Sequence, residues 1–125
     1  MQTENIPHYF PELTPWLDAA KEGRFLLPQC MVCERPHWYP RGFCPFCNSH
    51  DVAWVEAAGG ATVYAVSVVP GEVPYAVAYV TLDEGPIMLT NIVAPDLSAL
   101  TIGQRVRVSF DHPRDGLVRP AFVPA

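Results

Sequence analysis

All four cysteines of this 125-residue chain fall between Cys30 and Cys47, as two CxxC pairs with ten residues between them. Thiolates are soft ligands, and a CxxC turn delivers two of them from one tight loop. Two such turns therefore supply the four sulfurs of a tetrahedral metal site, each at about 2.3 Å from the ion. In Cys44-Pro45-Phe46-Cys47-Asn48 the proline fixes φ after the first ligand, and asparagine tolerates the left-handed conformation that such knuckles favour after the second. The first loop, Cys30-Met31-Val32-Cys33-Glu34, lacks both aids. Four thiolates close the coordination shell and leave no position for water, so the expected metal is structural rather than catalytic. Zinc is the expected ion, and iron in a rubredoxin-like site meets the same spacing. His37 and His50 stand near enough in sequence to replace a cysteine. Disulfides are disfavoured because the opening MQTENIPHYF has neither a basic region nor an apolar targeting core, which points to the reducing cytoplasm. A redox CxxC would need a flanking βαβ unit, and the pattern offers none. Loss of the metal is expected to unfold residues 29–52 and leave the rest standing.

The remaining chemistry-bearing residues form no catalytic pattern. Ser49, Ser67, Ser98 and Ser109 occur in no nucleophile-elbow or SxxK context, and His8 and His112 stand alone beside prolines. The adjacent Asp83 and Glu84, in LDEGP, read as a hairpin turn. Gly59-Gly60 leads into a strand, not a helix N-terminus, and so makes no phosphate cradle. Eight Lys plus Arg against thirteen Asp plus Glu give a net charge of −5, which repels a nucleic-acid backbone. Arg105, Arg107, Arg114 and Arg119 with Tyr64, Tyr75 and Tyr79 are the residues that could bind a single strand, but acidic residues balance them.

The elements that position the cysteines are short. Half of the residues are hydrophobic and 17% charged, so the chain should fold, and its length suits one core plus a small module. Fourteen prolines and eight glycines favour short strands over long helices. Thr14 can cap a helix, Pro15 suits its first turn and Gly23 can end it, which predicts a helix over 15–22. An extended lead over 25–28 follows. Beyond residue 53, β-branched and aromatic runs predict strands at 60–69, 74–82, 87–93, 104–110 and 117–123, with a short helical piece in PDLSAL and a final Asp115-Gly116 turn. Five strands with a helical piece between the third and fourth fit a Greek-key barrel of the OB type; an open meander and an SH3-like barrel are the alternatives. The expected fold is mainly β, with a helical arm (1–28), a ribbon (29–52) and a barrel (53–125). No apolar stretch is long enough to span a membrane.

Aromatic residues crowd the front of the chain. Nine of fourteen lie within the first 54 residues: Tyr9, Phe10, Trp16, Phe25, Trp38, Tyr39, Phe43, Phe46 and Trp54. Each ring buries about 150–250 Å², more in sum than an arm and a small knuckle can hide. Trp16, Phe25, Trp38, Tyr39, Phe43 and Phe46 are therefore candidate docking residues for another protein. The alternative is that the arm folds back over the barrel and buries them.

Taken together, LLPQCMVCERPHWYPRGFCPFCNS, AWVEAAGGATVYAVSVV, PYAVAYVTLDEG, IGQRVRVSF and the closing RPAFVPA resemble the zinc-ribbon OB-fold proteins of the DUF35 group over nearly the whole chain. Glu34 stands where that group usually has glycine. The resemblance implies a rubredoxin-like ribbon followed by an OB barrel, assembled with an enzyme of CoA-thioester metabolism: a thiolase-like enzyme, a steroid side-chain aldolase or a MaoC-like hydratase. It implies a non-catalytic accessory subunit that completes or positions the partner's CoA-thioester site. A stand-alone acyl-CoA-binding protein, with Arg105 and Arg107 meeting the phosphates, is the second expectation, and single-strand binding the third.

Overall fold

The computed structural model describes residues 11–113 and 116–125. His8, Tyr9, Phe10, Arg114 and Asp115 lie outside them.

The chain enters through a 3-10 turn, Pro11–Leu13, that runs straight into helix α1, Thr14–Lys21. Thr14 is consequently not the cap: Leu13 occupies that position in helical conformation, and no side chain bonds the first turn. Pro15 does sit in the first turn, where its missing N–H costs nothing. At the other end Gly23 takes φ 73°, the Gly23 and Arg24 N–H groups donate to Ala20 and Ala19, and the helix stops there. Leu17 and Ala20, three apart, are buried on one face.

Strand β1, Leu26–Cys30, pairs antiparallel with β2, Val52–Glu56, from Leu26 opposite Glu56 to Cys30 opposite Val52. These strands form the base of the ribbon, and both CxxC loops hang between them. Residues 25–28 were expected as an extended lead, but the β2 pairing was not. Every β2 residue is half-buried or exposed, so the segment carries no inward and outward alternation to announce a strand.

Five further strands close a barrel in the order β3-β4-β5-β7-β6: Gly60–Val69, Tyr75–Leu82, Ile87–Ile92, Arg105–Ser109 (β6) and Ala121–Pro124 (β7). All pairings are antiparallel except β5 with β7, which meet in parallel at Ile92 and Phe122. A bulge between Val63 and Ala65 bends the long β3, as closure of so small a barrel requires. With a 3-10 turn at Leu97–Ala99 between β5 and β6, this is the OB-like arrangement expected from the strand order.

The core is lined by alternate residues of these strands, among them Val63, Val80, Met88, Val106 and Phe122. Phe25 and Leu27 belong to the same cluster. The Phe25 ring meets Phe122 edge-on at 6.0 Å, and the Phe25 carbonyl accepts the Ala57 N–H at 2.8 Å. Ribbon and barrel thus share one core. Phe25, 3% exposed, is a core residue and not a docking residue; the apolar floor of the barrel claims it.

At the entry to β3, Gly59 takes φ 91° and donates no side chain to a space already filled by Val108, whose N–H bonds the Gly59 carbonyl at 2.8 Å. A Cβ there would overlap the Val108 side chain. Gly59→Ala is expected to destabilise the fold by about 2–4 kcal/mol, from left-handed strain and overpacking together; a urea midpoint within error of the parent would contradict this.

Candidate functional site: a metal centre and the surface around it

The two CxxC loops are built alike. In the first, the Glu34 N–H returns to the Cys30 carbonyl at 3.0 Å, and the Val32 and Cys33 N–H groups donate to Cys30 Sγ at 3.3 and 3.4 Å. In the second, the Asn48 N–H returns to the Cys44 carbonyl at 2.9 Å, and the Phe46 N–H donates to Cys44 Sγ at 3.3 Å. Glu34 and Asn48, each directly after the second cysteine of its pair, both take φ 65°. Asparagine bears that conformation readily; glutamate does not. Glu34→Gly is therefore expected to stabilise the ribbon by about 1 kcal/mol, seen as a higher urea midpoint and slower loss of metal to a chelator.

The four Sγ atoms lie within 4.8 Å of one another. Cys30 to Cys47 and Cys33 to Cys44 are each 3.6 Å apart, too far for a disulfide. Tetrahedral coordination at metal–sulfur bonds of about 2.3 Å sets sulfurs roughly 3.8 Å apart, so the residues fit a four-thiolate ion. The Cys33 N–H, and after it the Val32 N–H, pull the Cys30 thiol down to about 6 against the opposing effect of burial, while Cys33 and Cys47 are shifted upward. Cys30 and Cys44 are buried and Cys47 is exposed. Among the described residues this is the single such convergence of His, Cys, Asp and Glu side chains, and neither His37 nor His50 takes part. His50 is exposed beside the Phe43 ring at 6.5 Å. His37 is buried with neither ring nitrogen hydrogen-bonded, and that burial, with the charge of Arg41 after it, lowers its pKa.

The other candidate rings divide into two groups. Trp16 packs on Trp38 at 5.1 Å, Trp38 meets Tyr39 edge-on at 5.6 Å, and the Tyr39 hydroxyl donates to Glu12 at 2.7 Å. These three half-buried rings tie the arm to the ribbon. Burial, then the bond to Glu12, pushes the Tyr39 phenol up to about 12. Phe43 and Phe46 remain exposed at the second knuckle, as Met31 and Val32 do at the first.

A further apolar surface was missed. Tyr64, Tyr79, Ile87 and Leu89 are all more than 40% exposed on the barrel's outer wall, with Tyr79 directly opposite Leu89. The signal lay in β4, where Ala76, Ala78 and Val80 face inward and Tyr75, Val77 and Tyr79 stand on the other side. A strand apolar on both faces in a single barrel has one face to spare. Ile87 and Phe46 line the same cleft, one from the barrel and the other from the knuckle.

Arg105 and Arg107 lie side by side on β6, but Arg105 is occupied. It grips Asp83 through two bonds of 2.8 and 3.0 Å and donates to Thr62 at 3.0 Å, which draws the Asp83 carboxyl below the usual range. Asp83 and Glu84 do form the expected turn, and Glu84 accepts the Ala58 N–H at 2.9 Å. Arg107 is exposed. No helix among the described residues is long and apolar enough to cross a membrane.

Comparison with known proteins matches two adjacent stretches of the chain. Residues 17–53 match the family described as "ChsH2, rubredoxin-like zinc ribbon domain", and residues 54–111 match "ChsH2, C-terminal OB-fold domain". A solved structure described as "Ltp2-ChsH2(DUF35) aldolase" is 35% identical and superposes with a TM-score of 0.79, covering 90% of this chain and 93% of that one. A DUF35-family structure of unknown function from Sulfolobus solfataricus, 15% identical, shares the fold with a TM-score of 0.67, covering 92% of this chain and 86% of that one. A protein of Thermomonospora curvata named "Probable enoyl-CoA hydratase alpha subunit" is 36% identical over 116 residues, which are 88% of this chain but 36% of the length of that relative. Ribbon, barrel and full-length similarity agree, and the chain belongs to the ChsH2-type DUF35 family of zinc-ribbon OB-fold proteins.

Proposed function

We propose that this chain is a non-catalytic accessory subunit of an acyl-CoA-processing enzyme, docking on a thiolase-superfamily partner in the cytoplasm and positioning its CoA-thioester site. The observation that carries this reading is the pairing of a closed four-sulfur centre with exposed apolar side chains on both modules, Phe43 and Phe46 at the knuckle and Ile87, Leu89 and Tyr79 on the barrel wall. A sealed centre has no coordination position for a substrate, and exposed rings contribute much of the binding energy at protein interfaces. The names of the aldolase and hydratase relatives support an acyl-CoA enzyme as the partner. Cys30, Cys33, Cys44 and Cys47 would hold zinc, whose chemistry here is to lock two loops without reacting. Metal analysis is expected to return zinc; an iron absorption band would replace it. The pairing of Arg105 with Asp83 removes one of the two anchors of the stand-alone acyl-CoA reading.

Co-purification with the enzyme encoded beside this gene tests the proposal. The two are expected to co-elute, and the enzyme to lose most of its thioester turnover without this chain. Phe46→Asp and Leu89→Asp should each weaken the complex at least tenfold while leaving the circular dichroism of the free chain unchanged. An enzyme fully active alone, with no complex at micromolar concentration, would refute it.

A further inference from the structure

Between the ribbon and the turn joining β4 to β5 lies an open cleft of about 590 Å³, with Arg35 and Arg41 on one side and Glu84, Pro86 and Ile87 on the other. Each guanidinium group has a neutral partner. That of Arg35 lies 3.5 Å from the centre of the Phe46 ring, and Arg41 Nε donates to the Tyr39 carbonyl at 3.4 Å. Neither is in an ion pair: those among the described residues join Lys21 to Asp18, Arg24 to Glu22 and Arg105 to Asp83. The one acid in the cleft, Glu84, is turned to the Ala58 N–H. In a chain of net charge −5, two guanidinium groups therefore share one concavity with no carboxylate bonded to either. The rest of the lining is flat or apolar, with Trp38 and Phe46 beside Ile87, and it includes the buried His37, 3% exposed and without a hydrogen-bond partner at either nitrogen.

Two guanidinium forks match the several oxygens of a doubly charged phosphate, which a single cation serves less well. The volume falls within the usual range of small-ligand sites, roughly 300–1,000 Å³. We propose that the ribbon–barrel cleft is a binding site for a phosphate monoester carried on a flat ring body, the phosphate held by Arg35 and Arg41 and the ring covering the apolar lining. This goes beyond the accessory-subunit reading, because the isolated chain is sufficient to bind.

The test is titration of the full chain, metal in place, with adenosine 5′-monophosphate, inorganic phosphate and adenosine at low salt, followed by amide chemical shifts. Saturable binding of the nucleotide is expected, with shifts concentrated at Arg35, His37, Arg41 and Ile87. Affinity should fall at least fivefold in Arg41→Ala and stay unchanged in Arg107→Ala. Arg35→Lys, which keeps the charge and much of the stem over Phe46, should weaken binding severalfold and guards against misfolding in the alanine variant. Adenosine and inorganic phosphate should each bind at least tenfold more weakly than the nucleotide. Equal affinities for nucleotide and either fragment, no saturation at millimolar nucleotide, or full binding in the Arg35→Lys, Arg41→Ala double variant would overturn the site. Loss of enzyme assembly with nucleotide binding intact would instead remove the accessory-subunit reading and leave this one standing.

Discussion

Removing the metal, by chelation or by Cys44→Ser, is expected to loosen the barrel as well as the ribbon. Structural zinc contributes on the order of 10–16 kcal/mol to small zinc-binding folds, as much as or more than the whole net stability of a typical domain, about 5–15 kcal/mol. Sequence reasoning confined the damage to residues 29–52. The structure changes that expectation, because Cys30 ends the strand whose other end places Leu27 and the adjoining Phe25 in the barrel core. If β1 and β2 separate, Phe122 loses its edge contact and the floor of the barrel opens to water. Tryptophan fluorescence should shift, since Trp16 and Trp38 pack together and Trp54 lies in β2. Amide exchange at Val80 and Phe122 should accelerate in step with it. Unaltered protection of those two amides in metal-free protein would show that the shared core matters little.

Phe25→Ala should cost about 3–5 kcal/mol, the range for emptying an aromatic site in a well-packed interior. At 3% exposure, with Phe122 and Leu27 in the same cluster, the site cannot collapse without moving β1. Phe46→Ala provides the contrast. That ring is 49% exposed and packs under Arg35, so its loss should lower stability by less than about 1 kcal/mol. Chemical denaturation of both variants, alongside partner binding, separates a ring that builds the fold from one that presents a surface. Equal destabilisation by the two would mean that burial does not distinguish their roles.

The cysteines were legible because their chemistry is local: four ligands, two tight loops and one geometry. The barrel strands were legible because apolar residues such as Ala76, Ala78, Val80 and Leu82 recur at the period of a strand with one face inside, and because turn residues separate the runs. The short helix was legible, though not its first turn, since nothing in Thr14 and Pro15 signals a 3-10 lead at Pro11–Leu13. What escaped were pairings between distant residues. Asp83 meets Arg105 across β3, and Phe25 meets Phe122 across most of the chain. Neither is foreshadowed by its neighbours, because an aromatic followed by leucines, or an arginine alternating with valines, reads the same whether its far side meets solvent, a ligand or the protein itself. The count of early rings suggests a surplus, and Phe43 and Phe46 are exposed, but the count could not say that Trp16 and Tyr39 would be spent between arm and ribbon while the barrel exposed Tyr79 and Leu89.

The seating of Phe25 beneath Phe122 also sets orientation. With that ring at the junction and β2 running within a few residues into β3, ribbon and barrel meet through shared packing. Under the proposed docking, whatever grips the knuckle tips also takes a bearing on the outer wall of the barrel. The molecule would then serve as a set square, handing its partner an angle as well as a patch.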